Sequence, residues 1–195
     1  TDVTITPQIA TEQSTLNCSA ATTSDKDGDT VTLLYNWRVN GQSVSQATTL
    51  DGSSFNRNDV VICELSPFDG QVSGSTIASN AITITNSAPR ILDVLIGPSS
   101  PNKATTVTAT IAGWFDPDGD SPTYNYAWSV NGVAVSTRAT LETSLFSRGD
   151  TIELAVEPYD NYETGVIVRS NQLTVGNAPP SLSQVALLPT APRTL

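Results

Sequence analysis

The 195 residues carry 19 acidic and 9 basic side chains, a net charge of −10, with 38% hydrophobic and only 14% charged residues. That balance excludes a nucleic-acid backbone as partner, because phosphate binding needs clustered Lys and Arg. Histidine is absent, which excludes Ser-His-Asp and Cys-His catalysis and His-ligated zinc.

The chain repeats itself. Shifted by 91 positions it falls on itself without a gap: Asp25-Lys-Asp-Gly-Asp29 on Asp116-Pro-Asp-Gly-Asp120, and Tyr35-Asn-Trp-Arg-Val-Asn-Gly41 on Tyr126-Ala-Trp-Ser-Val-Asn-Gly132. Leu50, Phe55, Arg57 and Asp59 land on Leu141, Phe146, Arg148 and Asp150; Gly74 lands on Gly165 and Asn86 on Asn177. One domain copied in tandem is the direct reading. The junctions are Asn86-Ser-Ala-Pro89 and Asn177-Ala-Pro-Pro180, which divides the chain into residues 1–88, 89–179 and 180–195. Leu182 to Pro192 repeats Ile91 to Pro101, so the last segment reads as a linker and the first strand of a third copy. With no Met at residue 1, a processed piece of a longer array is expected.

Short strands separated by turn residues are predicted throughout. In the second copy Val107, Ala109 and Ile111 alternate on one face, then Tyr126, Trp128 and Val130. Asn131-Gly132 follows, the pair that a type I′ hairpin favours because both central residues need positive φ. Val133 and Val135 return, Ile152, Leu154 and Val156 form another alternating strand, and Leu173 and Val175 close the set. About seven strands in roughly 90 residues predicts an all-β chain of two immunoglobulin-like sandwiches arranged end to end. No apolar run reaches the ~18 residues of a membrane span, so the piece is not expected to span a membrane itself.

Cys18 and Cys63 stand in the first copy with Trp37 between them. Their counterparts, Ala109 and Leu154, lie on inward faces by the alternation above, so the two cysteines should meet across the sandwich beside Trp37 as a disulfide. Two buried thiols are the alternative. A disulfide would place the chain in an oxidising compartment, secreted or at a cell surface.

Asp-x-Asp-Gly-Asp occurs twice, and carboxylates at i, i+2 and i+4 with a glycine to turn the chain resemble the first half of a calcium loop. A solvated acidic turn capped by its own Asp side chains is the plainer reading. The loop after the penultimate strand shares that end of a sandwich and brings Asp69 or Asp160 to it. The incoming linker, Ser87-Ala-Pro89, reaches the second tip. Trp114, Tyr124 and Tyr162 replace Thr23, Leu33 and Gln71, so the second copy alone has aromatics flanking its acidic tip. They either fill the sandwich edge or stack on a sugar or a partner protein.

Asp-Pro-Asp-Gly-Asp, Tyr-x-Trp-x-Val-Asn-Gly and Pro-Tyr-Asp together resemble the tandem immunoglobulin-like, PKD-like and cadherin-like repeats of large bacterial extracellular proteins. The resemblance covers residues 1–180. It implies secretion, rod-like stacking against neighbouring repeats of the same chain, and Ca2+ at loops or junctions. The ligands it implies are Asp116, Asp118, Asp120 and Asp160, with Asp25, Asp27, Asp29 and Asp69 in the first copy. The expected role is a non-catalytic structural or adhesive segment, an elongated spacer of a secreted or cell-surface protein. The alternatives are a module that binds a glycan or surface protein through Trp114, Tyr124 and Tyr162, or an accessory segment of a secreted hydrolase.

Overall fold

The computed structural model describes residues 2–182 and residue 184. In the first repeat the strands are β1 (Val3–Thr6), β2 (Leu16–Ala20), β3 (Thr32–Val39), β4 (Gln42–Ser45), β5 (Thr49–Leu50), β6 (Val60–Phe68), β7 (Ile77–Ala78) and β8 (Ile82–Thr83). The second repeat follows with β9 (Asp93–Gly97), β10 (Val107–Ala112), β11 (Thr123–Val130), β12 (Val133–Ser136), β13 (Thr140–Leu141), β14 (Thr151–Tyr159), β15 (Val168–Arg169) and β16 (Leu173–Thr174). Each repeat has the same two sheets. One is β1-β2-β5 in the first repeat and β9-β10-β13 in the second. The other is β4-β3-β6-β7, with β8 also on β6, matched by β12-β11-β14-β15 with β16 on β14.

Register repeats with the sequence. Thr6 faces Asn17 and Gly97 faces Thr108, pairs related by the 91-residue shift. Period-2 burial explains the layers, because successive side chains of a strand point to opposite faces. Val3 and Ile5 of β1, Leu16 and Cys18 of β2, and Val61, Cys63 and Leu65 of β6 all point inward. In β14 Ile152, Leu154 and Val156 are wholly buried. Each fully buried aliphatic side chain contributes roughly 1.5–3 kcal/mol. Trp37 and Trp128 are both 0% exposed. Each indole Nε1 donates to an equivalent carbonyl, Ala47 at 2.9 Å and Arg138 at 2.8 Å, so burial leaves neither donor unpaired.

The hairpins turn as their sequences require. Asn40 and Gly41 have φ of 50° and 80°, and Asn131 and Gly132 have 51° and 77°. Cys18 and Cys63 form a disulfide with a Cα–Cα distance of 6.3 Å. Its link joins β2 of one sheet to β6 of the other.

By compactness the chain divides into two units. The first takes residues up to 92 together with 113–125 and 157–167, and the second takes 93–112, 126–156 and 168 onward. The acidic loop of the second repeat and the turn after β14 therefore belong to the first unit. The strand expected at the start of a third repeat lies almost wholly outside the described residues.

Candidate functional site

The acidic loops fold by local chemistry. In the first repeat Asp25 Oδ1 accepts the Asp27 and Asp29 amides at 2.8 and 3.2 Å; in the second, Asp116 Oδ1 accepts those of Asp118 and Asp120 at 2.9 and 3.2 Å. The glycine of each motif, Gly28 or Gly119, takes a positive φ, 86° or 77°. The first aspartate is thus the turn's own cap, and the next two carboxylates are left to face outward partners.

In the second repeat those carboxylates have partners from the first repeat's sequence, all within the first compact unit. Arg57 donates from Nη1 and Nη2 to the two carboxylate oxygens of Asp120, the second at 3.3 Å. The same Nη1 lies 3.8 Å from Asp118 Oδ2 and donates to Asn86 Oδ1 at 2.7 Å. Asn86 passes the link on, its Nδ2 donating to Asp160 Oδ2 at 2.8 Å. Asp160 Oδ1 accepts the Tyr162 and Glu163 amides at 2.7 and 2.6 Å. Asp118 accepts the Ser87 amide at 2.7 Å and the Ser87 hydroxyl at 3.3 Å. One connected polar network therefore runs from Asp160 through Asn86 and Arg57 to Asp120, Asp118 and Ser87.

Burial gives this network weight. The Asp118 side chain is 1% exposed, that of Arg57 19%, and Asp160 is fully buried. Charge-assisted, bidentate Arg–carboxylate bonds are the stronger kind, and removing one partner strands the other. The bond to Asp120 raises the Arg57 pKa further above its already high ordinary value. For Asp160, burial is the largest influence and pushes the carboxyl up. The bonds from Asn86 and from the Glu163 and Tyr162 amides together outweigh it and hold the group below the ordinary carboxylate value.

The backbone of Arg57 is anchored too, its amide donating to Glu12 Oε1 at 2.6 Å. The guanidinium also lies 4.2 Å from the centre of the Tyr162 ring. Close by, the linker crosses Gly165: a Cβ there would stand 1.8 Å from the Pro89 carbonyl oxygen. Arg90 and Phe115 exchange backbone hydrogen bonds of 2.9 Å in each direction.

The private aromatics of the second repeat are engaged locally. Trp114 and Tyr124 pack edge to face at 5.8 Å, and Trp114 Nε1 donates to Asp120 O at 3.3 Å. Tyr162 is 67% exposed but carries Arg57 on its face. In the first repeat Thr23 and Leu33 instead line a cavity of about 180 Å³ with Val3, Ala20, Leu65 and Ile77.

Calcium takes six to eight oxygens. The ligand oxygens of Asp116, Asp118 and Asp120 lie within 4.8 Å of one another, the one such trio among the described residues. Asp160 is not part of it. Asp116 Oδ2 is buried and has no hydrogen-bond partner, which suits a cation. Against it stands Arg57, a positive charge already paired with two of the three carboxylates. With Arg57 in place the donor set does not fit the ion. At the first tip Asp27 and Asp29 are exposed, and Asp69 Oδ1 accepts the Gln71 and Val72 amides at 2.7 Å each.

No family model and no curated protein matches the chain. Solved structures do. The chicken interferon gamma receptor alpha chain aligns over 91% of this chain and 98% of its own, with a TM-score of 0.50 and 10% identity. A two-domain fibronectin type-III segment of chicken tenascin aligns over 89% and 98%, with a TM-score of 0.45 and 10% identity. At such identity the likeness is one of fold. The class is that of tandem immunoglobulin-like β-sandwiches.

Asp118, Asp120 and the linker at Ser87 meet as the sequence suggests. Arg57, Asn86 and Glu12 were not singled out. The signal for the first two is their recurrence at 148 and 177, since an arginine repeated at the same turn in so acidic a chain marks a counter-charge for carboxylates.

Proposed function

We propose that the chain is a non-catalytic structural or adhesive repeat segment of a secreted or cell-surface protein, and that it serves as a spacer. The observation that carries this reading is the Arg57–Asn86 network: side chains from one repeat hold the acidic loop of the next, through groups already present in the sequence. The Cys18–Cys63 disulfide supports an oxidising, extracellular setting. No helix is long and apolar enough to cross a membrane among the described residues. In a series of such repeats each joint would be built from the same letters, and stability would be the sum of the units and their nearest-neighbour contacts.

The test sets the spacer against a recognition module for a surface protein or glycan. Binding of the whole chain to glycan arrays and cells is measured beside variants carrying alanine at Trp114, Tyr124 and Tyr162. The spacer reading expects no binding that depends on these residues. Binding that any one of them abolishes while the fold persists would overturn it.

Calcium is a second reading, favoured by the unpartnered buried Oδ2 of Asp116. On this reading an ion at Asp116, Asp118 and Asp120 would have to displace Arg57. Calorimetry with Ca2+ after chelation, on the wild type and on Arg57→Gln, decides it. Heat in the wild type supports calcium as the native counter-charge. Heat confined to the variant assigns that role to Arg57.

A further inference from the structure

We infer that the second repeat pairs with a second copy of this chain through an exposed face beside the linker, made of Arg90, Leu92, Phe115, Glu163, Val166 and Ile167. The inference goes beyond the spacer reading: it gives the adhesive side of the proposed role a surface and a partner.

The linker runs through this face. Arg90 and Phe115 exchange backbone hydrogen bonds, so the linker lies as a short strand against the loop after β10. Leu92 covers Gly113, where a Cβ would stand 2.5 Å from the Leu92 side chain. On the other flank the Pro89 carbonyl oxygen stands against Gly165, and Val166 and Ile167 follow directly. Leu92, Phe115, Val166 and Ile167 are 42–81% exposed. Single exposed apolar side chains are ordinary, but four around one crossing make a patch of the kind that marks a contact surface.

The first repeat serves as the control. Its counterparts at these four positions are Thr1, Ser24, Ser75 and Thr76, all polar. The sandwich therefore does not need apolar side chains there, and the second repeat carries them for something outside its own core. The repeats on both sides of the linker belong to the chain, so this exposure is that of a finished joint.

Charge selects the occupant. The Arg90 guanidinium lies 4.6 Å from the centre of the Phe115 ring, which holds it in the patch. It has no hydrogen bond or ion pair among the described residues. Glu163 is exposed, two residues before Gly165, and its carboxylate has no such partner there either. Its counterpart in the first repeat is Val72. One free cation and one free anion on the same apolar face are self-complementary. In a two-fold contact every pairing occurs twice, so Arg90 of each copy meets Glu163 of the other. Aromatic and arginine anchors amid apolar neighbours are the usual carriers of interface energy.

The test is sedimentation equilibrium of the whole chain from ~10 μM to ~1 mM, the range that populates a weak contact. The average mass should rise with concentration and level off at that of a dimer, because a two-fold contact closes on itself. Val166→Ser with Ile167→Thr installs the first repeat's own residues and should weaken association at least ~10-fold. Arg90→Glu alone and Glu163→Arg alone should each weaken it, and mixing those two variants should restore it. Four results overturn the inference: a monomer at ~1 mM, including one that binds cells or glycans through Val166 and Ile167; growth past the dimer; association that Val166→Ser with Ile167→Thr leaves intact; or single variants that do not rescue each other on mixing. Amide exchange at Asp118 and Asp120 in the same samples reports the Arg57 joint separately. Protection there in a monomer refutes the pairing and leaves the joint standing, whereas its loss in a dimer refutes the joint and leaves the pairing.

Discussion

Arg57 and Asp120 are 63 residues apart and bonded through the two Nη nitrogens of the guanidinium to both carboxylate oxygens. A two-point contact of this kind fixes direction as well as charge. With Asn86 on the same nitrogen and Tyr162 under the guanidinium, Arg57 has few alternative poses. An arginine held on four sides is a structural element rather than a solvated surface charge.

Losing it should be felt. Arg57→Gln is expected to destabilise the protein by about 2–3 kcal/mol, more than a surface ion pair and less than a fully buried one. Chemical denaturation followed by Trp fluorescence measures this. Amides 118 and 120 should exchange faster in the variant, while those of β14 around Leu154 keep their protection.

Acid should weaken the same region. The Asp160 and Asp69 carboxyls are held below their ordinary value, Asp69 chiefly by the Val72 amide and then by Gln71. Such groups stabilise the fold fully above the unfolded pKa of about 4, and the stabilisation is lost as pH falls through the lower folded value. Urea midpoints should therefore be flat from neutral pH down to about 5 and drop below about 4. Asp160→Asn should show a shallower drop.

Gly165 has no room for a side chain. Its Cβ would meet the Pro89 carbonyl oxygen at 1.8 Å, and backbone there cannot swing aside as a side chain can. At the equivalent Gly74 the nearest atom is the Pro67 ring at 2.9 Å. Gly165→Ala is expected to cost about 2–3 kcal/mol, near the upper part of the overpacking range, and Gly74→Ala about 1 kcal/mol. Thermal unfolding of the two variants side by side gives the comparison.

The disulfide closes a separation of 45 residues, worth about 4 kcal/mol in the chain-entropy account. Reduction should lower the unfolding midpoint of the first repeat more than that of the second, whose own core holds no disulfide. Cys18→Ala with Cys63→Leu copies the second repeat's own solution, Ala109 and Leu154, and should fold without the bond. Calorimetric scans with and without reductant test both statements.

The sandwich was legible because its signals are local. Alternation placed Val107, Ile152 and Leu154 inward, Asn131-Gly132 set a hairpin, and inward positions 18 and 63 brought the cysteines together. The tip was half legible. Asp-x-Asp-Gly-Asp announced a tight acidic turn, but not which charge would answer it. Arg57 answers from a turn that is distant in sequence, and no periodicity relates a turn to a loop it will touch. Trp114 and Tyr124 were ambiguous for the same reason, since their facing each other edge to face depends on where two separate strands end.

The central claim is that Arg57 and the acidic loop of the second repeat stabilise one another. A double-mutant cycle on Arg57→Gln and Asp120→Asn, read by urea denaturation at neutral pH, measures that directly. A coupling of about 1–3 kcal/mol is predicted. Additive effects, with coupling below about 0.3 kcal/mol, would contradict it.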